Sequence, residues 1–539
     1  MPELKHIQKA TAEQKKANKK FKIAISYPPM PNEKGTACLG QNRQFQWFNN
    51  PTYIYPMVPS YAASLLQEEG YDVMWDDGIA EELTQDQWLE RIKEFNPNMI
   101  VFETKTPVVK RHWKLIDVMK KELPNTTIVM IGDHVTAMPE ESFEKSKTDY
   151  IATGGDYDFL VLNIANHINH AEKLEPGIWY RSQSVVGSQQ SAVGKTANSK
   201  PQTANIINTG HFLLNHDLDD LPVIDRDLTK WHLYAYKNGN YKATPGTYTY
   251  AARDCWWGKC TFCSWTTLYP GKDYRKHSAK RMLDEVGMLI EKYHVKEIMD
   301  DSGSFPVGKW LKEFCDGMIE RGYNKKIKID CNMRLKALSP EEYKLMGKAG
   351  FRFILYGLES ANQGTLDHIE KNLKVEEIEK GVKMAKEGGL EPHITTMMGY
   401  PWETKEDAQR TIDLSKHLFD KGYVDTLQAT IVIPYPGTPL FKECKANGWL
   451  TTEDWDNYDQ RMAIMKSPLT GDDIKELTQG LYKSFITPKF IMRKVLSVRN
   501  WTDIKFLFMA GGKVIGHLMD FSSKKAKEEE KCDHGCDKC

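Results

Sequence analysis

Three cysteines fall within nine residues in the stretch Arg253-Asp254-Cys255-Trp256-Trp257-Gly258-Lys259-Cys260-Thr261-Phe262-Cys263, at the spacing C-x4-C-x2-C. In a chain without a secretory leader, such clustering points to a metal before a disulfide. The count of three is informative. A structural zinc site closes with four ligands, and no fourth cysteine or nearby histidine follows. An iron–sulfur cube held by three thiolates leaves one iron open to a small molecule. Gly258 allows the loop to turn tightly, and Phe262 sits between the last two thiols. Spacing alone leaves two alternatives, a cysteine-rich turn and a zinc knuckle completed by a distant ligand.

Thr247–Ala252 reads as the strand that delivers Cys255. Strand and helix patterns then alternate about six times as far as Ile433. The strands are Glu297–Asp301, Ile327–Asn332, Phe353–Gly357, His393–Gly399 and Gln428–Ile433, with helices over 279–293, 309–321, 340–349, 375–387 and 405–419. This predicts a partial (β/α)6 barrel with its chemistry at the carboxyl ends of the strands. The unusual residues gather there: Asp300-Asp301-Ser302, Arg334, Gly357-Leu358-Glu359-Ser360, Gly399-Tyr400-Pro401 and Pro434–Thr438. Each also has a structural reading. The paired aspartates can cap a helix, Arg334 can pair with an acidic neighbour, and Gly357 and Gly399 can be packing glycines. Glycine at two strand ends equally lets a flat ligand approach the backbone.

The cysteine motif resembles that of the radical S-adenosylmethionine (SAM) enzymes, whose usual signature is C-x3-C-x2-C with an aromatic residue before the last cysteine. Phe262 matches; one extra residue separates the first two cysteines. The resemblance implies a [4Fe–4S] cluster on Cys255, Cys260 and Cys263 whose open iron chelates SAM. It further implies reductive cleavage to a 5′-deoxyadenosyl radical by a one-electron donor of the flavodoxin or ferredoxin type. Gly357-Leu358-Glu359-Ser360 resembles the family's fourth-strand motif, in which the Glu contacts SAM. Phe262, Asp301, Arg334, Gly357, Glu359 and Gly399 are the SAM-binding candidates.

The amino-terminal half alternates strands (Phe21–Tyr27, Asp72–Trp75, Met99–Glu103, Thr127–Ile131, Tyr150–Ala152) with helices over 59–69, 85–95, 109–123 and 156–167. That alternation predicts an α/β, doubly wound, Rossmann-like parallel sheet, with ligands beyond the strands' carboxyl ends. Tyr27-Pro28-Pro29, Tyr55-Pro56, Gly132-Asp133-His134 and Thr153-Gly154-Gly155 resemble the cobalamin-binding domain of B12-dependent radical SAM proteins. The D-x-H-x-x-G motif that supplies a cobalt-ligating histidine elsewhere is absent, and Glu103-Thr104-Lys105-Thr106-Pro107 stands in its place. The cobalamin candidates are Thr104, Lys105, Thr106, Gly132, Gly154 and Gly155. His134 is read as structural.

The remaining segments are a polar leader (1–20), a linker with a polar hairpin insertion (171–245), a helical region (451–521) and a charged tail (522–539). The domains themselves span 21–170 and 246–450. The helical region, with its apolar patterns over Ile474–Leu496, 504–510 and 514–519, either packs over the barrel mouth or touches a membrane surface peripherally. The tail repeats C-x3-C-x2-C at Cys532, Cys536 and Cys539, a candidate auxiliary metal site. Lys plus Arg and Asp plus Glu are both 73, so no electrostatic case exists for nucleic acid. No apolar run is long enough to span a membrane, and clustered or isolated cysteines suit a reducing cytoplasm and anaerobic chemistry.

The resemblance implies an enzyme that functionalises an unactivated carbon of a small-molecule or lipid-like substrate, by methyl transfer from cobalamin. Radical cyclisation is the alternative, since Cys263-Ser264-Trp265 with Arg275 resembles the anaerobic Mg-protoporphyrin ester cyclase branch. A non-catalytic cobalamin or redox sensor is a third class, against which the intact cysteine loop argues.

Overall fold

A computed structural model describes residues 4–39, 45–49, 51–182, 205–238, 241–270, 274–485 and 487–496, together with 498 and 504. The tail cysteines Cys532, Cys536 and Cys539, and the apolar stretches 505–510 and 514–519, lie outside the described residues. The chain forms two units. One comprises residues 1–29, 58–230 and 267–273; the other comprises 30–57, 231–266 and 274 onward.

The first unit is built on β1 (Lys22–Tyr27), β2 (Asp72–Asp77), β3 (Met99–Glu103), β4 (Thr127–Ile131), β5 (Tyr150–Ala152), β6 (Ile178–Arg181) and β7 (Ile206–Asn208), in the order β2-β1-β3-β4-β5-β6-β7. The first five are parallel. Their near-continuous apolar runs suit a sheet covered by helices on both faces; every residue of β3 is buried. Helix Gln85–Phe95 begins where Thr84 and Gln87 form a reciprocal capping box. It buries Trp88, whose indole donates to Asp76 at 2.6 Å. β6 and β7 pair antiparallel on the edge, so residues assigned from sequence to a linker extend the sheet. The chain leaves β1 for β2 on one side and reaches β3 on the other. The switch point therefore falls between β1 and β3, where doubly wound sheets bind ligands.

The second unit is an all-parallel sheet of six strands in chain order: β8 (Gly246–Thr249), β9 (Glu297–Asp300), β10 (Lys328–Met333), β11 (Phe351–Glu359), β12 (Glu391–Met398) and β13 (Thr426–Ile431). Helices Ala279–Glu291, Lys309–Glu320, Pro340–Lys348, Val375–Glu387 and Lys405–Lys421 make the crossovers. At the amino-terminal ends the strands share a charged layer. Arg352 reaches Glu297 at 2.5 Å, Asp330 at 2.9 Å and Glu391 at 2.8 Å. Burial alone would raise the Glu391 carboxyl, but Arg352 and Lys242 outweigh it and bring it to about 2. Short elements without a legible period add a hairpin, Thr36–Cys38 with Gln46–Phe48, inside what reads as a loop. The helical pattern predicted over Ile474–Leu496 is two helices, Gly471–Phe485 and Pro488–Leu496. Pro488 opens the second at a position where its missing amide hydrogen costs nothing.

Candidate active site

Thr249 ends β8, and the chain must leave it at a defined angle to present Cys255. Asp300, at the end of β9, provides the hook. Its carboxylate accepts from Thr249 Oγ1 at 2.9 Å, from the Ala251 amide at 2.8 Å and from Ser302 Oγ at 2.5 Å. Ser302 Oγ in turn receives the Ala252 amide at 2.9 Å. Burial pushes the Asp300 carboxyl up to about 6 against these hydrogen bonds. Asp300 caps no helix; it anchors the loop. Asp301 lies in the same turn, its amide donating to the Thr249 carbonyl at 2.9 Å, and it is 2% exposed.

The cysteine loop turns through Asp254 (φ 80°) and Gly258 (φ 61°), left-handed conformations that Asp and Gly tolerate. The Cys263 amide closes onto the Cys260 carbonyl at 3.1 Å. Phe262, between them in sequence, is buried. All three cysteines are free and half-buried. Burial raises the Cys260 thiol, whereas Lys371 and Arg334 pull it down. Burial also raises the Cys263 thiol, and the neighbouring Cys260 and Cys255 add to this. Two further donors on the loop, Trp256 Nε1 and Thr261 Oγ1, are buried without a hydrogen-bond acceptor. Three thiols on one short loop, two cations packed on or near it and unspent donors fit an anionic iron–sulfur cluster, whose sulfurs accept such hydrogen bonds.

β11 carries the next part of the site. A bulge between Gly357 and Glu359 shifts its register on β12, and Glu359 adopts φ 64°. Non-glycine residues in this region are strained by about 1–3 kcal/mol and persist where surrounding structure holds them. Glu359 Oε1 receives Lys371 Nζ at 2.7 Å, while Oε2 is buried without a partner. A free, buried carboxylate oxygen fits an ammonium ligand such as the amino group of SAM. Arg334, expected to meet SAM, packs on Trp257 at 4.7 Å and Trp256 at 5.5 Å and donates to the Lys371 carbonyl. Gly399 has φ 93°, and Ile474 Cδ1 would stand 3.1 Å from a Cβ there; the close approach is made by a helix. Lys371 and Trp257 escape sequence reading, the first because it sits in a Lys-rich run that looks solvated.

In the first unit the loop after β3 lies at the switch point. Tyr27, ending β1, and Tyr157 both donate to Glu103, ending β3. Burial raises the Glu103 carboxyl, and Lys105 opposes that. Lys105 Nζ, itself 3% exposed, reaches Asp133 at 3.3 Å. Thr104 Oγ1 bonds His112 Nδ1 at 2.7 Å, and Thr106 Oγ1 bonds His134 Nδ1 at 3.2 Å. Burial takes His112 down to about 3, and its Nε2 has no partner. Gly132 (φ 120°) lies so close to the loop that a Cβ would stand 2.3 Å from the Thr104 carbonyl oxygen. Gly154 and Gly155 are expected to leave room for a ligand; here Phe212 and Tyr269 cover them, 2.4 Å and 2.0 Å from where each Cβ would be. The loop Thr104–Pro107, cradled by Gly132 at the switch point, fits a corrinoid face.

Comparison with known proteins matches two domain families. Residues 251–415 match the radical SAM superfamily and residues 51–159 the B12 binding domain. An uncharacterised methyltransferase of Pyrococcus horikoshii is 27% identical over 457 residues, covering 82% of this chain and 90% of that protein. The anaerobic magnesium-protoporphyrin IX monomethyl ester cyclase of Cereibacter sphaeroides is 24% identical over 458 residues, 84% and 69% respectively. The structure of OxsB, a cobalamin-dependent SAM radical enzyme with aqua-cobalamin and SAM bound, superposes with TM-score 0.64 at 13% identity, covering 92% of this chain and 71% of that one. With its cysteine loop at the carboxyl end of one sheet and its candidate cradle at the switch point of the other, the chain combines a radical SAM domain with a B12-binding domain, whose cofactors are a [4Fe–4S] cluster, SAM and cobalamin.

Proposed function

We propose that the protein is a cobalamin-dependent radical SAM methyltransferase acting on an unactivated carbon of a small-molecule or lipid-like substrate. The observation that carries this reading is the pairing, in one chain, of the three-cysteine loop with the Thr104–Pro107 loop at a doubly wound switch point. Relatives named as methyltransferases support it. When bound, cluster and SAM supply a hydrogen-abstracting 5′-deoxyadenosyl radical and cobalamin supplies a methyl group. Cys255, Cys260 and Cys263 hold the cluster, with Phe262 buried on the same loop. Glu359 accepts the SAM ammonium on its free oxygen. Gly357, Gly399, Asp301 and Arg334 shape the rest of that site. Thr104, Lys105 and Thr106, with Gly132, line the cobalamin cradle; Gly154 and Gly155, covered by Phe212 and Tyr269, stand outside it.

Radical cyclisation is the second reading, supported by the two cyclase relatives. Feeding methyl-deuterated methionine to strains with and without the protein decides between them. A metabolite that gains a labelled methyl only when the protein is present supports transfer; an unlabelled product that has lost hydrogens supports cyclisation. A sensor is disfavoured, since it has no use for an intact three-cysteine loop or for the buried, unpartnered carboxylate oxygen of Glu359. We further infer a flavodoxin- or ferredoxin-type reductant and a cytoplasmic, anaerobic setting, which seven free cysteines among the described residues suit. No helix among the described residues is long and apolar enough to cross a membrane. Exposed Ile491, Met492, Val495 and Leu496 support peripheral membrane contact by the C-terminal region, which a vesicle flotation assay tests. Iron counting before and after removal of residues 531–539 tests the tail cysteines as an auxiliary site.

A further inference from the structure

Lys371 belongs to a short segment that touches the cysteine loop repeatedly. The Ile369 carbonyl accepts the Thr261 amide at 3.1 Å, the Glu370 carbonyl accepts the Trp257 indole at 2.7 Å, and the Lys371 carbonyl accepts Arg334. The side chain of Lys371 is 11% exposed and that of its partner Glu359 is 5% exposed. A pair this buried is costly to desolvate and is a poor source of stability, so its value must lie in geometry or charge. Gly357 points the same way. A Cβ there would stand 2.0 Å from Glu359 Oε1 and 2.6 Å from Lys371 Nζ. The pair fills the space that any other residue at 357 would use.

We propose that Lys371 is a positioning residue for both the cluster and SAM: its ammonium fixes one oxygen of Glu359 so that the other is presented to the SAM ammonium, and it sets a cation on the segment that is hydrogen-bonded to the cysteine loop. A carboxylate held at one oxygen by a buried cation cannot rotate freely, so its second oxygen is pre-aimed. A fixed positive charge near a cluster favours its more negative, reduced state. The SAM half of this inference rests on the assignment of Glu359 above; the cluster half does not.

The test uses the full chain, reconstituted anaerobically with iron and sulfide, with three readouts: iron per chain, SAM affinity by equilibrium dialysis, and the cluster midpoint potential by electron paramagnetic resonance. K371Q should keep its iron, bind SAM about tenfold or more weakly, and shift the midpoint to more negative potential. K371R should recover most of the affinity. The K371Q/E359Q double variant should be no weaker than E359Q alone, because the two groups act as one. G357A should weaken SAM binding with iron intact by displacing the pair. SAM binding within about twofold of the unmodified protein, at an unchanged midpoint potential, in K371Q would overturn the proposal. Should E359Q bind SAM normally, the Glu359 assignment fails and the potential of K371Q alone decides for Lys371. Should K371Q hold no iron, G357A decides: full SAM affinity there overturns the positioning role.

Discussion

A thiol must lose its proton to bind iron, and the protein around Cys260 and Cys263 opposes that loss. Metal binding has to supply the deprotonation, so each thiolate depends on the cluster as the cluster depends on it. C255A, C260A and C263A are each expected to lose the cluster and form no 5′-deoxyadenosine, checked by iron content and product chromatography. SAM cleavage surviving in one variant would remove that cysteine from the ligand set. Arg334 shows how a single side chain serves the same loop differently from expectation. A guanidinium stacked on Trp256 and Trp257 holds the four residues between the first two cysteines, where the usual motif has three. The extra residue thus comes with its own clamp, and R334K, which keeps charge but loses the flat stacking surface, should lower cluster occupancy more than a surface Lys-to-Arg exchange does.

At the scale of elements, the charged layer across β9–β12 makes a sharp prediction. Glu297 and Asp330 are both fully buried, and Arg352 is the cation they share. R352M should destabilise the second unit by about 3–5 kcal/mol, the usual cost of stranding a buried charge, measured by urea unfolding. In the first unit, G132A forces a Cβ toward the Thr104 carbonyl. It should abolish retention of hydroxocobalamin while leaving SAM cleavage intact, read from absorbance and 5′-deoxyadenosine yield. Much at this scale was legible beforehand. Gln85–Phe95, Met99–Glu103, Thr127–Ile131 and Val375–Glu387 fall where apolar period and caps place them. The hairpin at Thr36–Cys38 and helix Pro439–Ala446 did not, because three to eight residues carry too little periodicity to read. Of the candidate site, the cysteines stand in sequence as a motif. The Lys371–Glu359 pair is made only by folding, twelve residues apart with the helix Gln363–His368 between them, and no local pattern announces it.

At the scale of the whole molecule, each unit brings one proposed cofactor cradle, and the loop proposed to face cobalamin carries two hydroxyls already held by histidines. His112 and His134 each spend Nδ1 on a threonine and lie buried beneath it. Reconstituted protein should therefore show a base-off absorption spectrum without nitrogen hyperfine coupling to cobalt. A coupling would keep the cradle but make one of these histidines a ligand, and H134A and H112A would say which. The ion-paired layer at the amino ends of the second sheet carries a different consequence. Arg352 and its carboxylates fill that end, and the cysteine loop stands at the opposite, carboxyl end. A ligand seated over that loop then acts as a shield against air. Iron loss in aerated buffer should slow when SAM is present, and the half-life of the cluster should report how well any trial molecule covers the loop, before its chemistry is known.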